Sequence, residues 1–168
     1  EEYQTSSLQK LMMEKKRIET LINNMQDPVI GIDEKDRVIF MNNTALKIAG
    51  LIGEDIIGKS ASTIAEKNDL MRNLLTDLSV TGLDELKTKS PIKIYADGKE
   101  SYFAKDILPI KIVPTGETAE KQIGTVILLQ NITPYKELDF AKTNFIATIS
   151  HELKTPISSI KMSLQLLE

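Results

Sequence analysis

Apolar residues recur over the first 25 positions in alternating three- and four-residue steps. Leu8, Leu11, Lys15, Ile18, Ile22 and Met25 form a heptad seam with one lysine in it. The spacing predicts a helix, with Glu14, Lys16, Arg17 and Glu19 charging its other faces. Fewer than three heptads is marginal for an independent coiled coil, so two readings stand. The helix either packs on its own domain or pairs in parallel with a second copy and carries a signal in from upstream. Asp27-Pro28 ends it, because proline cannot donate to the helix ladder and disfavours helical backbone in the residue before it.

The period then changes. Val29, Ile30 and Ile32 read as a strand, Glu34 to Arg37 as a polar turn, and Val38 to Met41 as the returning strand. Asn42 or Asn43 can cap a short helix, Thr44 to Ala49, which Gly50 stops. Asp55 to Gly58 reads as a turn or a short helical piece, and a better helix runs from about Asp69 to Val80 between Asn68 and Gly82. Three strands follow. Ile92 to Tyr95 leads into the hairpin signal Ala96-Asp97-Gly98-Lys99, and Tyr102 to Val113 contains Pro109, which hints at a bulge. Ile123 to Leu129 is nearly all apolar, as expected of a central strand covered on both faces.

From Thr133 the pattern is helical again. Thr133 can cap and Pro134 suits the first helical position. Leu138, Ala141, Phe145, Ile149, Leu153, Ile157, Ile160, Leu164 and Leu167 continue one stripe to the end. Such a helix spans about 50 Å. With a single apolar face it needs partners to be stable in water. Pro156 lies inside it, withholds an amide from the carbonyl of Glu152 and costs about 3 kcal/mol in a regular helix, which predicts a kink or local unwinding.

Composition narrows the choices. The 168 residues carry a net charge of −3, which argues against a nucleic-acid footprint. There is no cysteine, so disulfides, thiolate metal sites and a cysteinyl-flavin adduct are excluded, and a reducing compartment suits the chain. No apolar run approaches the ~20 residues of a membrane span, and no signal peptide is present. The chain begins at Glu1 rather than methionine and stops at Glu168 within a helical pattern, so we expect a piece of a longer protein.

The only histidine, His151, sits within Ser150-His151-Glu152-Leu153-Lys154-Thr155-Pro156. At about 100° per residue its same-face neighbours are Ala147, Thr148, Lys154 and Thr155, all small or polar. Phe145, Ile149 and Leu153 point roughly the other way. The pattern therefore presents His151 to solvent, where a nucleophile meeting a large partner should be. The segment Phe145 to Pro156 resembles the phosphoacceptor box of bacterial sensor histidine kinases. Upstream, two strands, short helices and three strands in that order look like a PAS domain, an α+β fold with a five-stranded antiparallel sheet and helices over one face. Asp27-Pro28-Val29-Ile30-Gly31-Ile32-Asp33 and Asn42-Asn43-Thr44-Ala45 carry the local likeness. Asn131-Ile132-Thr133 stands where that family usually has Asp-Ile-Thr, which puts the aspartate's ion pair in doubt.

The resemblance implies residues 1–24 as a signalling helix, 25–133 as the PAS domain and 134–168 as the truncated first helix of a dimerisation and phosphotransfer domain. It implies that His151 takes the γ-phosphoryl group of ATP, with Mg, from a catalytic domain of the parent kinase and passes it to an aspartate of a response regulator. Glu152 would orient the ring and take its proton, although neighbouring helical residues do not face each other and Glu152 must lean toward it. Thr155 would hold a water for the reverse, phosphatase activity, and Pro156 would be the kink. No asparagine box, glycine-rich nucleotide lid or P-loop occurs, so the chain should not phosphorylate itself. Haem is disfavoured because the sole histidine lies outside the sheet region. A small-molecule PAS ligand would have to use polar groups such as Tyr95, Tyr102 or Asn24. The expected setting is a homodimer in the cytoplasmic portion of an inner-membrane-anchored protein. The alternatives left open are a non-catalytic PAS ligand-binding or dimerisation module and a stand-alone phosphotransfer protein.

Overall fold

A computed structural model describes residues 2–79, 90–96 and 98–167. They divide between Asn131 and Ile132 into two units. The first contains helix α1 (Glu2–Asn23), strands β1 (Val29–Asp33) and β2 (Val38–Met41), and helices α2 (Asn43–Ala49), α3 (Ala61–Lys67) and α4 (Asp69–Ser79). Strands β3 (Ile92–Ala96), β4 (Lys99–Ile112) and β5 (Lys121–Asn131) follow. The sheet is antiparallel with the order β2-β1-β5-β4-β3. The last strand in sequence is thus the central one.

Alternation sorts the strand residues onto two faces. Ile30, Ile32, Ile94, Phe103, Ile127 and Leu129 are buried, and α2, α3 and α4 close over them with Ala45, Ala61, Met71 and Leu74. Between them, Val126 and Leu128 are only half-buried. The expectation of a strand covered equally on both faces therefore holds for one face only. Pro109 is also better accommodated than expected. It sits in register opposite Thr125, and the irregularity falls between Ile110 and Lys111. Gly124 is needed for the close approach of β1 and β5, since a Cβ there would lie 2.6 Å from the carbonyl oxygen of Ile32.

Local side chains hold the β1–β2 hairpin. The Asp33 carboxylate accepts the amides of Lys35 (2.9 Å) and Arg37 (2.8 Å) and the Arg37 guanidinium (2.8 Å). The Arg37 amide is the largest of the effects holding that carboxyl below the usual range. Asp36 adopts a positive φ of 62° and accepts the Ser60 hydroxyl at 3.0 Å and the Ser62 amide at 3.1 Å, tying the hairpin to the start of α3. Helix α3 itself was not anticipated. Its cap is Ser60, whose hydroxyl accepts the Thr63 amide. Helix α4 starts as expected at Asp69, while its expected end near Val80 and Gly82 lies outside the described residues, as does Asp97 of the β3–β4 turn. Lys105 of β4, on the same strand face as Phe103, has a side chain only 1 % exposed and is ion-paired with Asp77 of α4. Burial pushes its ammonium pKa down.

No residue of α1 is buried. It stops at Asn23, with four residues between it and the buried Pro28. The second unit is a single helix, α5 (Thr133–Leu166), described by itself below.

Candidate functional site

Helix α5 is 34 residues long, and none of them is buried. It begins one residue earlier than expected. Ile132 occupies the cap position, Thr133 is already helical and Pro134 sits in the first turn, where its missing amide is harmless. Along the stripe Phe145, Ile149, Leu153, Ile157, Ile160 and Leu164 are all exposed, Ile149 at 40 % being the most covered. Among the described residues of α5, none is buried.

His151, Glu152, Thr155 and Pro156 all lie on α5 and all are exposed. Thr155 is one turn from His151 on the same face, whereas Glu152 projects about 100° around the axis. The arrangement offers an imidazole in open water with a carboxylate beside it and a hydroxyl one turn away. That suits attack on a large, separately delivered phosphoryl donor and leaves room for a partner protein to approach. Histidine is the side chain best able to be a neutral nucleophile near physiological pH.

The helix runs unbroken through Pro156. Proline has no amide to give the Glu152 carbonyl, so a regular hydrogen bond is missing next to His151. Hydroxyls double up on the neighbouring carbonyls. Ser159 donates to the Thr155 carbonyl at 3.1 Å, Ser163 to that of Ser159 at 2.9 Å, and Thr148 to that of Asn144 at 2.8 Å. Such back-bonds bend helices slightly.

None of the polar groups offered for an internal ligand is buried in the core. Tyr95 alternates with the buried Ile94 and is 76 % exposed. Tyr102 alternates with buried Phe103, and its hydroxyl reaches Glu100 on its own strand. Asn24 donates to the Thr20 carbonyl at 2.9 Å at the end of α1.

One residue's reach was not foreseen. Asn42, 1 % exposed, caps α2 through Oδ1, which accepts the Ala45 amide at 3.0 Å and also the Val29 amide at 3.0 Å. Its Nδ2 donates to the carbonyls of Ile22 at 3.1 Å and Asp27 at 2.9 Å. Only its role as a cap is visible locally, because the two carbonyls belong to backbone far upstream and carry no side-chain signature.

Family models match the two units separately. The PAS fold matches residues 16–106, more than half of the chain, and the His Kinase A (phospho-acceptor) domain matches residues 141–168, which include His151. The chain belongs to the PAS family, and its long helix α5 carries the segment that matches the phospho-acceptor model. The sensor-like histidine kinase ycf26 of Pyropia yezoensis is 29 % identical over 99 % of this chain and 26 % of its own length. The sensor protein kinase WalK of Staphylococcus haemolyticus is 27 % identical over 92 % of this chain and 23 % of its own length. The chain thus spans about a quarter of the length of these curated relatives. Among solved structures, the PAS domain of Bordetella pertussis BvgS is 16 % identical, with a TM-score of 0.49 over 80 % of this chain and 98 % of that one.

Proposed function

We propose that the parent protein is a protein-histidine kinase in which His151 is the phosphoacceptor. The outer ring nitrogen, Nε2, attacks the γ-phosphorus of MgATP held by a separate catalytic domain. The N–P bond forms as the bond to the ADP oxygen breaks, and the imidazole proton passes to Glu152. The phosphoryl group then moves to an aspartate carboxylate of a response regulator; the N–P bond breaks and Glu152 gives the ring its proton back. Little covalent work falls to the protein, so positioning and charge neutralisation dominate. Thr155, on the face of His151, holds a water for hydrolysis of the regulator's phosphoaspartate. Pro156, by leaving the Glu152 carbonyl without its regular donor, lets the helix bend between the acceptor and its continuation.

The observation that carries this reading is the placement of His151, Glu152 and Thr155 on a long helix without a single buried residue, inside the segment matched by the phospho-acceptor model. The unpartnered apolar stripe fits a homodimer in which a second helix and the same helices of another copy cover it. Among the described residues no helix is long and apolar enough to cross a membrane. We place the chain on the cytoplasmic side of a membrane-anchored parent, where ATP and the regulator are. The PAS unit has no histidine and no cysteine, so it is not built for histidine-ligated haem or a cysteinyl-flavin adduct. Its signal is a small molecule held by other groups or a movement passed on from upstream.

The test is labelling with radioactive ATP of a protein extended to its natural length, beside its His151→Gln version. Acid-labile label present in the first and absent in the second supports the reading. Equal label in both, or none with ATP demonstrably bound, overturns it.

A further inference from the structure

Helix ends leave backbone carbonyls without intrahelical partners, and these are usually met by water or by a neighbouring loop. At the end of α1 the backbone amides of Asn24 and Met25 meet the carbonyls of Thr20, Leu21 and Ile22, and side chains from the start of α2 add donors to Ile22 and to the connection that follows. Asn42 Nδ2 donates to the Ile22 carbonyl and to the Asp27 carbonyl. The Thr44 hydroxyl donates to the Met25 carbonyl at 3.0 Å. The opposite pole of the same amide, Oδ1, is the N-cap of α2 and the partner of the Val29 amide at the head of β1. The Asn42 main-chain amide adds a bond to the Val29 carbonyl at 3.1 Å. One buried side chain therefore finishes one helix, starts another and fixes the first residue of a strand, with both amide hydrogens and both oxygen lone pairs used. Helix α1 has no buried residue of its own, so its hold on the sheet is concentrated at this end.

We infer that Asn42 is the coupling residue between α1 and the PAS sheet: a rotation or shift of α1 reaches β1, and β5 beside it, through the Asn42 amide. The inference rests on the kinase reading for its output, because β5 is the strand that runs on into the chain bearing His151. Its physical basis is the polarity of an amide. The oxygen side holds α2 and β1, and the nitrogen side holds α1, so the two attachments can be separated chemically. Aspartate at this position keeps an N-cap acceptor of equal quality but loses both donors and sets a carboxylate against the two upstream carbonyls.

The experiment compares the full chain with Asn42→Asp by amide hydrogen exchange. For the substituted chain we expect exchange in residues 22–25 to quicken on the order of tenfold, the size of losing two part-buried hydrogen bonds, while the amides of α2 stay within about twofold. Equal loosening of α1 and α2 would make Asn42 an ordinary support of the fold and overturn the inference. Should the buried carboxylate prevent folding, Asn42→Ser takes its place, because a hydroxyl can still accept the Ala45 amide yet cannot serve two distant carbonyls.

A second arm inserts one to four residues between Lys15 and Lys16 in the natural-length protein and reads label on His151. Each inserted residue turns the upstream part of α1 by about 100°. Labelling that rises and falls with that turn, and flattens in Asn42→Asp with its mean level kept, supports the coupling. An unchanged periodic response in Asn42→Asp, or a flat series in the unsubstituted protein, overturns it while leaving the kinase reading intact. Absence of any His151 label in the uninserted protein overturns the kinase reading and the relay together, and the exchange result still shows whether Asn42 holds α1.

Discussion

In the sheet unit Ile30, Met71, Leu74, Ile127 and Leu129 are out of reach of water, whereas along the 34 residues of α5 no side chain is buried. The two regions are similarly rich in aliphatic residues; what differs is who covers them. The strands and short helices of the first unit cover each other, so its shape follows from its own sequence. Along α5 an apolar stripe of the same chemistry stays exposed. The helix's stability and curvature are therefore set by whatever packs on it, which is the property a movable output element requires.

The contrast can be broken most directly by making similar deletions in both regions. Leu74→Ala should cost about 2–5 kcal/mol in urea unfolding, the transfer and cavity cost of a fully buried leucine. Ile149→Ala removes almost the same group from α5 and should change stability by no more than about 0.5 kcal/mol in dilute protein. A large loss at Ile149 that grows with protein concentration would mean the stripe is already covered by a second copy. Pro156→Ala restores the donor for the Glu152 carbonyl and should favour the regular helix by up to about 3 kcal/mol, read as slower exchange at positions 152–157. No change there would show that the helix has already absorbed the defect. Gly124→Ala should cost about 1–3 kcal/mol, because the new methyl meets backbone and not a flexible side chain.

The smallest effect concerns acid. The pKa of Asp33 is lowered in the folded chain, so its contribution is present above the ordinary carboxylate pKa of about 4 and is lost as pH falls through the lowered value. Asp33→Asn should therefore reduce stability at neutral pH and flatten the decline on the acid side. A parallel, undiminished decline would place the acid sensitivity elsewhere.

What could be read in advance depended on how local the cause was. Both hairpins were legible because alternation and turn residues act over a few positions, and His151 was legible because a dozen contiguous residues surround it in a recognisable order. Helix α3 was not. Its seven residues, Ala61 to Lys67, are mostly small and too few to repeat an apolar face, and only the Ser60 cap marks them. Of Asn42, the bond to Ala45 was legible and those to Ile22 and Asp27 were not, since they depend on chain brought back from 20 and 15 positions away. The Lys105–Asp77 pair was hidden for the same reason, and a lysine in a strand otherwise reads as a solvent-facing residue.

The central position of β5 also bears on how the protein is made. Its partners are β1, about 100 residues earlier at the Val29–Leu128 pair, and β4. During synthesis the two hairpins can form as separate halves, but the seam between them stays open until residue 131 has left the ribosome. Closing so large a loop is slow compared with forming a hairpin, and the open edges of β1 and β4 are exposed meanwhile. The next residues to emerge are those of α5. A nascent chain thus seals its sheet immediately before His151 appears, so truncation upstream of β5 leaves two sticky half-sheets rather than a smaller domain.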